Sequence, residues 1–220
     1  MSKKQMGKSS YDREDALKKE FNDFLKEWSK KKGTLTEKMT LDNLVLLKSA
    51  LRNVHNRATL ETAKLFVKRL VKLLQTKFEQ SQDDILKDVL ATPPNANGYD
   101  IEYKDKQIAF VAEIKCNLPI NNGDTFGANQ IKGIRKDLEC LRSGKSKSRL
   151  GLKGETALDG YYRFLGVYND KEGRARKAME SLCKTIKDKY GSVEFLKEEH
   201  TMKDLNKSKK TIWIVMLGDD

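Results

Sequence analysis

Histidine is nearly absent from this chain, with His55 and His200 the only two. So little imidazole leaves general-base triads, zinc hydrolases and histidine-centred nucleases poorly supplied. Cys116, Cys140 and Cys183 are odd in number and lack Cys-x-x-Cys spacing, which argues against a disulfide framework and a structural zinc site. Long apolar runs are missing as well. Ile108–Ala112 and Ile212–Leu217 fall far short of the ~20 residues that span a bilayer. The opening MSKKQMGKSS is charged with no apolar segment behind it, so no secretory signal and a cytoplasmic location are expected. Negative charge is in deficit: 44 Lys and Arg stand against 32 Asp and Glu, giving +12 over 220 residues. A basic chain of this kind suits a polyanion, because Lys and Arg displace counterions condensed on phosphates. With no membrane segment, nucleic acid is the expected partner, and the length suits one domain with a smaller annex.

The three prolines (Pro93, Pro94 and Pro119) all fall in the middle of the chain. Before them the pattern is helical. Ser10 can cap a helix with Leu17, Phe21, Phe24, Leu25 and Trp28 on one face, ending at Lys30–Gly33. A second helix follows Thr40, with Leu41, Leu44, Leu47, Leu51 and Val54 on one face. A third follows Thr59, with Ala63, Phe66, Val67, Leu70, Leu74 and Phe78 inward. After the turn signal Thr92–Gly98, the β-prone runs Tyr99–Tyr103 and Gln107–Asn117 flank a polar Lys104–Lys106, which predicts a hairpin. Helix Gly127–Leu141, strand Tyr162–Tyr168, helix Arg174–Tyr190 and strand Thr211–Leu217 follow. This order implies an α/β (α+β) fold, a mixed sheet flanked by helices with an N-terminal helical extension.

The chemistry concentrates in Asp100 and Glu113-Ile114-Lys115. Alternation along a strand puts Glu113 and Lys115 on one face while Ile108, Phe110, Ala112, Ile114 and Cys116 take the apolar one. Pairing across the hairpin brings Asp100 beside Glu113. Two converging carboxylates repel unless a cation sits between them, and oxygen ligands of this kind suit Mg²⁺. Such an ion polarises a phosphodiester and lowers the pKa of bound water, while Lys115 orients the water or assists its deprotonation and offsets phosphate charge.

Asp100 and Glu113-Ile114-Lys115 at the end of an apolar hairpin strand, followed by a basic helix containing Gln130, resemble the PD-(D/E)XK nuclease superfamily and, within it, type II restriction endonucleases. The resemblance spans roughly Asp84 to Leu217, with Tyr99 in place of the proline before the first carboxylate, a proline that many members also lack. It implies an α-β-β-β-α-β core, Mg²⁺-dependent cleavage of double-stranded DNA leaving 5′-phosphate ends, and often a homodimer on a palindromic site. Asp100, Glu113 and the Ile114 carbonyl would be metal ligands and Lys115 the catalytic lysine. A helical glutamate before the hairpin is also implied; Glu61 is preferred over Glu79 because it stands at a helix start. Residues 1–58 are then the helical extension and 59–220 the nuclease core. Two alternatives stand beside this reading: another PD-(D/E)XK activity (repair, junction-resolving or methylation-dependent), or a nucleic-acid-binding protein without chemistry.

The loop after Lys115 carries Asn117, Asn121 and Asn122, and the next helix Asn129, Gln130, Lys132, Arg135 and Lys136, types that read base edges and phosphates. From Lys132 to Lys153 there are 8 basic residues against 2 acidic ones, with Lys145, Lys147 and Arg149 expected to anchor phosphates. Plainer roles are expected elsewhere. Lys64, Lys68 and Lys72 read as a solvated helix face, His55 as a surface residue, and the cysteines, Trp28 and Trp213 as core.

Overall fold

A computed structural model describes residues 12–29, 40–74, 82–93, 98–106, 108–119, 123–207 and 209–218. They form α1 (Arg13–Ser29), α2 (Leu41–Leu74), α3 (Gln82–Ala91), β1 (Ile101–Lys104), β2 (Ala109–Lys115), α4 (Ala128–Ser143), a 3-10 turn (Glu155–Leu158), β3 (Tyr162–Tyr168), α5 (Arg174–Tyr190), β4 (Val193–Phe195), α6 (Met202–Lys207) and β5 (Ile212–Leu217). The strands make one mixed sheet in the order β1-β2-β3-β5-β4. Only the β1-β2 pair is antiparallel. The α/β class, the mixed sheet flanked by helices and the helical N-terminal region are thus as expected.

Helices cover both faces of the sheet, which is why β3 and β5 read as nearly unbroken apolar runs. On one face Phe66 and Leu70 of α2 and Ile85 of α3 pack on Phe110, Ala112, Ile114, Phe164 and Val215. On the other, Ile134, Leu138 and Leu141 of α4 and Met179 and Ile186 of α5 pack on Val111, Leu165, Val167 and Ile214. Even-numbered β2 residues therefore meet α2, and odd-numbered ones, including Glu113 and Lys115, meet α4. Gly166 lets α2 come close: a Cβ there would lie 2.8 Å from both Ile114 Cδ1 and Phe66 Cδ2.

Several local expectations are revised. Residues 41–74 form one helix rather than two, so the division placed at 58/59 falls inside α2. Thr59 does not cap a new helix, because its hydroxyl donates to the His55 carbonyl one turn back (3.1 Å), as Thr62 does to Ala58 (2.8 Å). What changes near that point is burial. Leu60, Ala63, Phe66 and Val67 are buried, whereas Leu41, Leu44, Leu51 and Val54, which share one face of the helix, are exposed because the sheet begins only beyond them. Asp12 caps α1, its Oδ1 accepting the N–H groups of Glu14 (2.8 Å) and Asp15 (3.0 Å); Ser10 lies outside the described residues. The side chains of Leu17, Phe21, Phe24, Leu25 and Trp28 also lie outside them. Lys64 is drawn from solvent into an ion pair with Glu14. Among the described residues two strands, not three, separate α3 from α4, so the order departs from α-β-β-β-α-β.

Candidate active site

The site forms where a strand ladder stops. Pairing of β1 with β2 ends at Ile101↔Ala112. One residue further, the Asp100 side chain takes the strand's place, its Oδ2 accepting the Ile114 N–H at 2.8 Å. In an extended strand a residue's N–H and C=O project to the same side, so the Ile114 carbonyl also points into the space beyond the end of β1. Glu113 and Lys115 project toward α4 instead. Glu113 is 4% exposed, and its Oε1 is ion-paired with the Lys145 ammonium. Lys145 Nζ also donates to the Gly98 carbonyl (2.8 Å) and lies 5.1 Å from the centre of the Tyr99 ring. The Lys115 ammonium stands 2.5 Å from Asp137 Oδ2 on α4.

Three carboxylates and two ammoniums thus share a water-poor corner. Burial, reinforced by the charge of Asp100, pushes Glu113 up to about 8. Burial raises Asp137 too, against the pull of Lys115. Burial alone would lower both lysines; the facing carboxylates, Asp137 for Lys115 and Glu113 for Lys145, outweigh it and hold them above the ordinary lysine value. Tyr99, whose hydroxyl donates to the Cys140 carbonyl (2.8 Å), is shifted well up by burial and by Glu113.

The donor set suits a hard divalent cation. Glu113 Oε1 and Asp137 Oδ2 are buried without a well-aligned hydrogen bond, each in contact with an ammonium instead. The Glu113 oxygen, with Asp100 and the Ile114 carbonyl, matches the ligand chemistry of Mg²⁺, while Asp137 is taken by Lys115. No three His, Cys, Asp or Glu residues are grouped for a metal among the described residues, so the ligand set rests on two carboxylates and a main-chain oxygen.

A cleft of about 500 Å³ opens over this corner, lined by Gly98, Lys136, Asp137, Cys140, Lys145 and Lys147. A second, of about 430 Å³, follows α4 past Lys132, Arg135, Lys136 and Lys189. The 145–150 segment is fastened by Glu102, whose carboxylate accepts the N–H groups of Tyr99 and Leu150 and the Ser148 hydroxyl, all at 3.0 Å. Gly98 leaves room for this carboxylate, since a Cβ there would lie 2.6 Å from Glu102 Oε1.

Asp100, Glu113, Ile114 and Lys115 are therefore brought together, and Lys145 joins them at Glu113. Lys132, Arg135, Lys136 and Lys147 are exposed along the clefts; Asn129 is exposed at the start of α4, and Asn117 is half-buried. Gln130 is occupied internally, accepting the Gly127 N–H (2.9 Å) and donating to the Leu118 carbonyl (2.6 Å). Arg149 donates to Thr92 Oγ1 at 2.9 Å. Glu61 lies on α2, across the sheet from Glu113, paired with Arg57 (2.6 Å) and Lys64 (3.4 Å). Asn121, Asn122 and Glu79 lie outside the described residues.

Sequence reasoning missed Asp137 and Glu102. Asp137 had a usable signal, because it shares the inward helical stripe with Ile134, Leu138 and Leu141, where an acid must find a buried partner. Comparison with family models, curated proteins and solved structures finds no match.

Proposed function

We propose that this chain is a Mg²⁺-dependent endodeoxyribonuclease of PD-(D/E)XK type. It hydrolyses phosphodiester bonds of double-stranded DNA as a sequence-specific type II restriction enzyme, leaves 5′-phosphate ends and works as a homodimer. The observation that supports this reading is the convergence of Asp100, Glu113 and the Ile114 carbonyl at the end of β1, with Lys115 on the same strand face as Glu113. Asp100, Glu113 and Ile114 would hold the ion, which when bound polarises the phosphodiester and acidifies a coordinated water. Lys115, kept protonated by Asp137, orients that water and offsets charge on the phosphate. Lys132, Arg135, Lys136 and Lys147 supply phosphate contacts along the clefts.

Incubation with a long DNA duplex, with and without Mg²⁺, tests the reading. Discrete fragments only with Mg²⁺, lost in Lys115→Ala and Glu113→Ala while DNA affinity persists, are expected. A smear indicates a nonspecific nuclease, and binding without cleavage a non-catalytic protein. Full cutting by both variants sinks the site.

A further inference from the structure

Lys145 sits differently from every other lysine of the basic segment. Lys132, Lys136, Lys147 and Lys153 are exposed, whereas the Lys145 side chain is 19% exposed and turned inward onto a carboxylate that is itself 5% exposed. Its ammonium is held from three sides, by Glu113 Oε1, the Gly98 carbonyl and the face of Tyr99. Those are the contacts of a cation bound to a carboxylate and a main-chain oxygen. Glu113 is also the carboxylate that alternation places next to Asp100, the other acid of the cluster. An ammonium and a divalent ion compete for the same oxygen, because Glu113 Oε1 is buried and water does not screen them from each other there.

We propose that Lys145 is the resident counter-ion of the carboxylate cluster, a lysine that occupies Glu113 until a divalent cation displaces it into the neighbouring cleft. The proposal rests on the metal-centre reading above and adds a residue to it. It gives Glu113, beside Asp100 and Asp137, a cationic partner whenever the carboxyl is ionised and no metal is bound. Displacement has somewhere to go, since the cleft lined by Lys136, Lys145 and Lys147 is about 500 Å³. There the freed ammonium raises the positive charge facing a phosphate as the cation arrives. Loading the ion and completing the anion-binding surface become one event. The segment that bears Lys145 is fixed at its far side by Glu102 through Ser148 and Leu150, so the change is confined to the side chain.

The test uses the intact protein and Ca²⁺, a hard cation of the same ligand preference. Calorimetry measures Ca²⁺ binding, and amine acylation followed by mass spectrometry reads the modification rate of Lys145 itself. Saturating Ca²⁺ is expected to raise that rate about tenfold, because the amine leaves a 19% exposed position for the open cleft, while exposed Lys132 and Lys147 change little. In Glu113→Gln, Lys145 should react at the fast rate with or without Ca²⁺. Ca²⁺ binding with an unchanged or slower Lys145 rate overturns this proposal and leaves the metal centre standing. If wild-type protein binds no Ca²⁺, both fall.

Discussion

Replacing Glu113 by glutamine measures how far the cluster is assembled against the stability of the fold. The carboxyl is 4% exposed, and burial together with the charge of Asp100 moves it from an ordinary 4.5 up to about 8. At about 1.4 kcal/mol per pKa unit, that rise sets a ceiling of about 5 kcal/mol of destabilisation once the group is fully ionised. The sign follows from proton counting. Between pH 4.5 and about 8 the folded protein holds a proton that the unfolded chain has released, so stability falls as pH rises through that window and levels off above it. Glutamine carries no such penalty, but it takes the carboxylate from Lys145, whose ammonium keeps the Gly98 carbonyl and the Tyr99 ring. That loss is already counted, because the attraction of Lys145 is among the causes that set Glu113 at about 8, so Glu113→Gln should be up to about 5 kcal/mol more stable than wild type at about pH 8.5 without divalent ions. Near pH 5 the difference should vanish. Urea unfolding of both proteins in chelator at the two pH values reads this directly, and their difference cancels the titrating groups that lie away from Glu113. A Glu113→Gln protein that is less stable at the higher pH, or a difference that does not change with pH, would refute the reasoning.

Two further outcomes follow from the same geometry. Asp137→Asn should lower the titration of the Lys115 ammonium, seen by side-chain NMR, and reduce kcat about tenfold with KM little changed, as for a residue that positions the lysine; an unmoved Lys115 titration removes Asp137 from that role. Glu102→Ala deletes the acceptor of three hydrogen bonds in a buried setting and should destabilise the fold by about 2–3 kcal/mol, with amide-exchange protection lost at Tyr99 and Leu150. Protection unchanged at both amides would mean that Glu102 does not fasten the 145–150 segment.

The fold was legible wherever one period dominated. Tyr162–Tyr168 and Arg174–Tyr190 coincide with β3 and α5, because the strand is buried on both faces and the helix carries a strong apolar stripe ending at Gly191. The break expected before Thr59 failed for a local reason. A threonine hydroxyl can cap the helix after it or bond the carbonyl four residues before it, and the sequence does not distinguish the two. Short β4 and α6, of 3 and 6 residues, are held by tertiary contacts and lack a repeat long enough to read. In the site, alternation placed Glu113 and Lys115 on one face, yet that face proved buried under α4 rather than open. Their partners, Asp137 and Lys145, come from 137 − 115 = 22 and 145 − 113 = 32 residues away, a separation over which no local pattern speaks. Lys145 in particular looks like every other lysine in its basic run, and only its burial sets it apart.

The two faces of β2 explain why such a charge cluster can persist at all. Phe66, Phe110 and Phe164 form a tilted aromatic group, with ring centres 5.8–6.5 Å apart and each ring at most 1% exposed. Each such ring contributes on the order of 3–5 kcal/mol when its removal leaves a cavity. That exceeds, for any one ring, most of the ceiling set on Glu113. The same packing brings both Phe66 and Ile114 against Gly166, where a Cβ would lie 2.8 Å from each side chain. A one-residue slip would exchange the two faces, sending Glu113 into the aromatic group and Phe110 toward α4. The register that buries the rings is therefore the register that delivers Glu113 and Lys115 beside Asp137 and Lys145. Packing on the α2 side supplies the free energy and the positional accuracy that the charged side consumes.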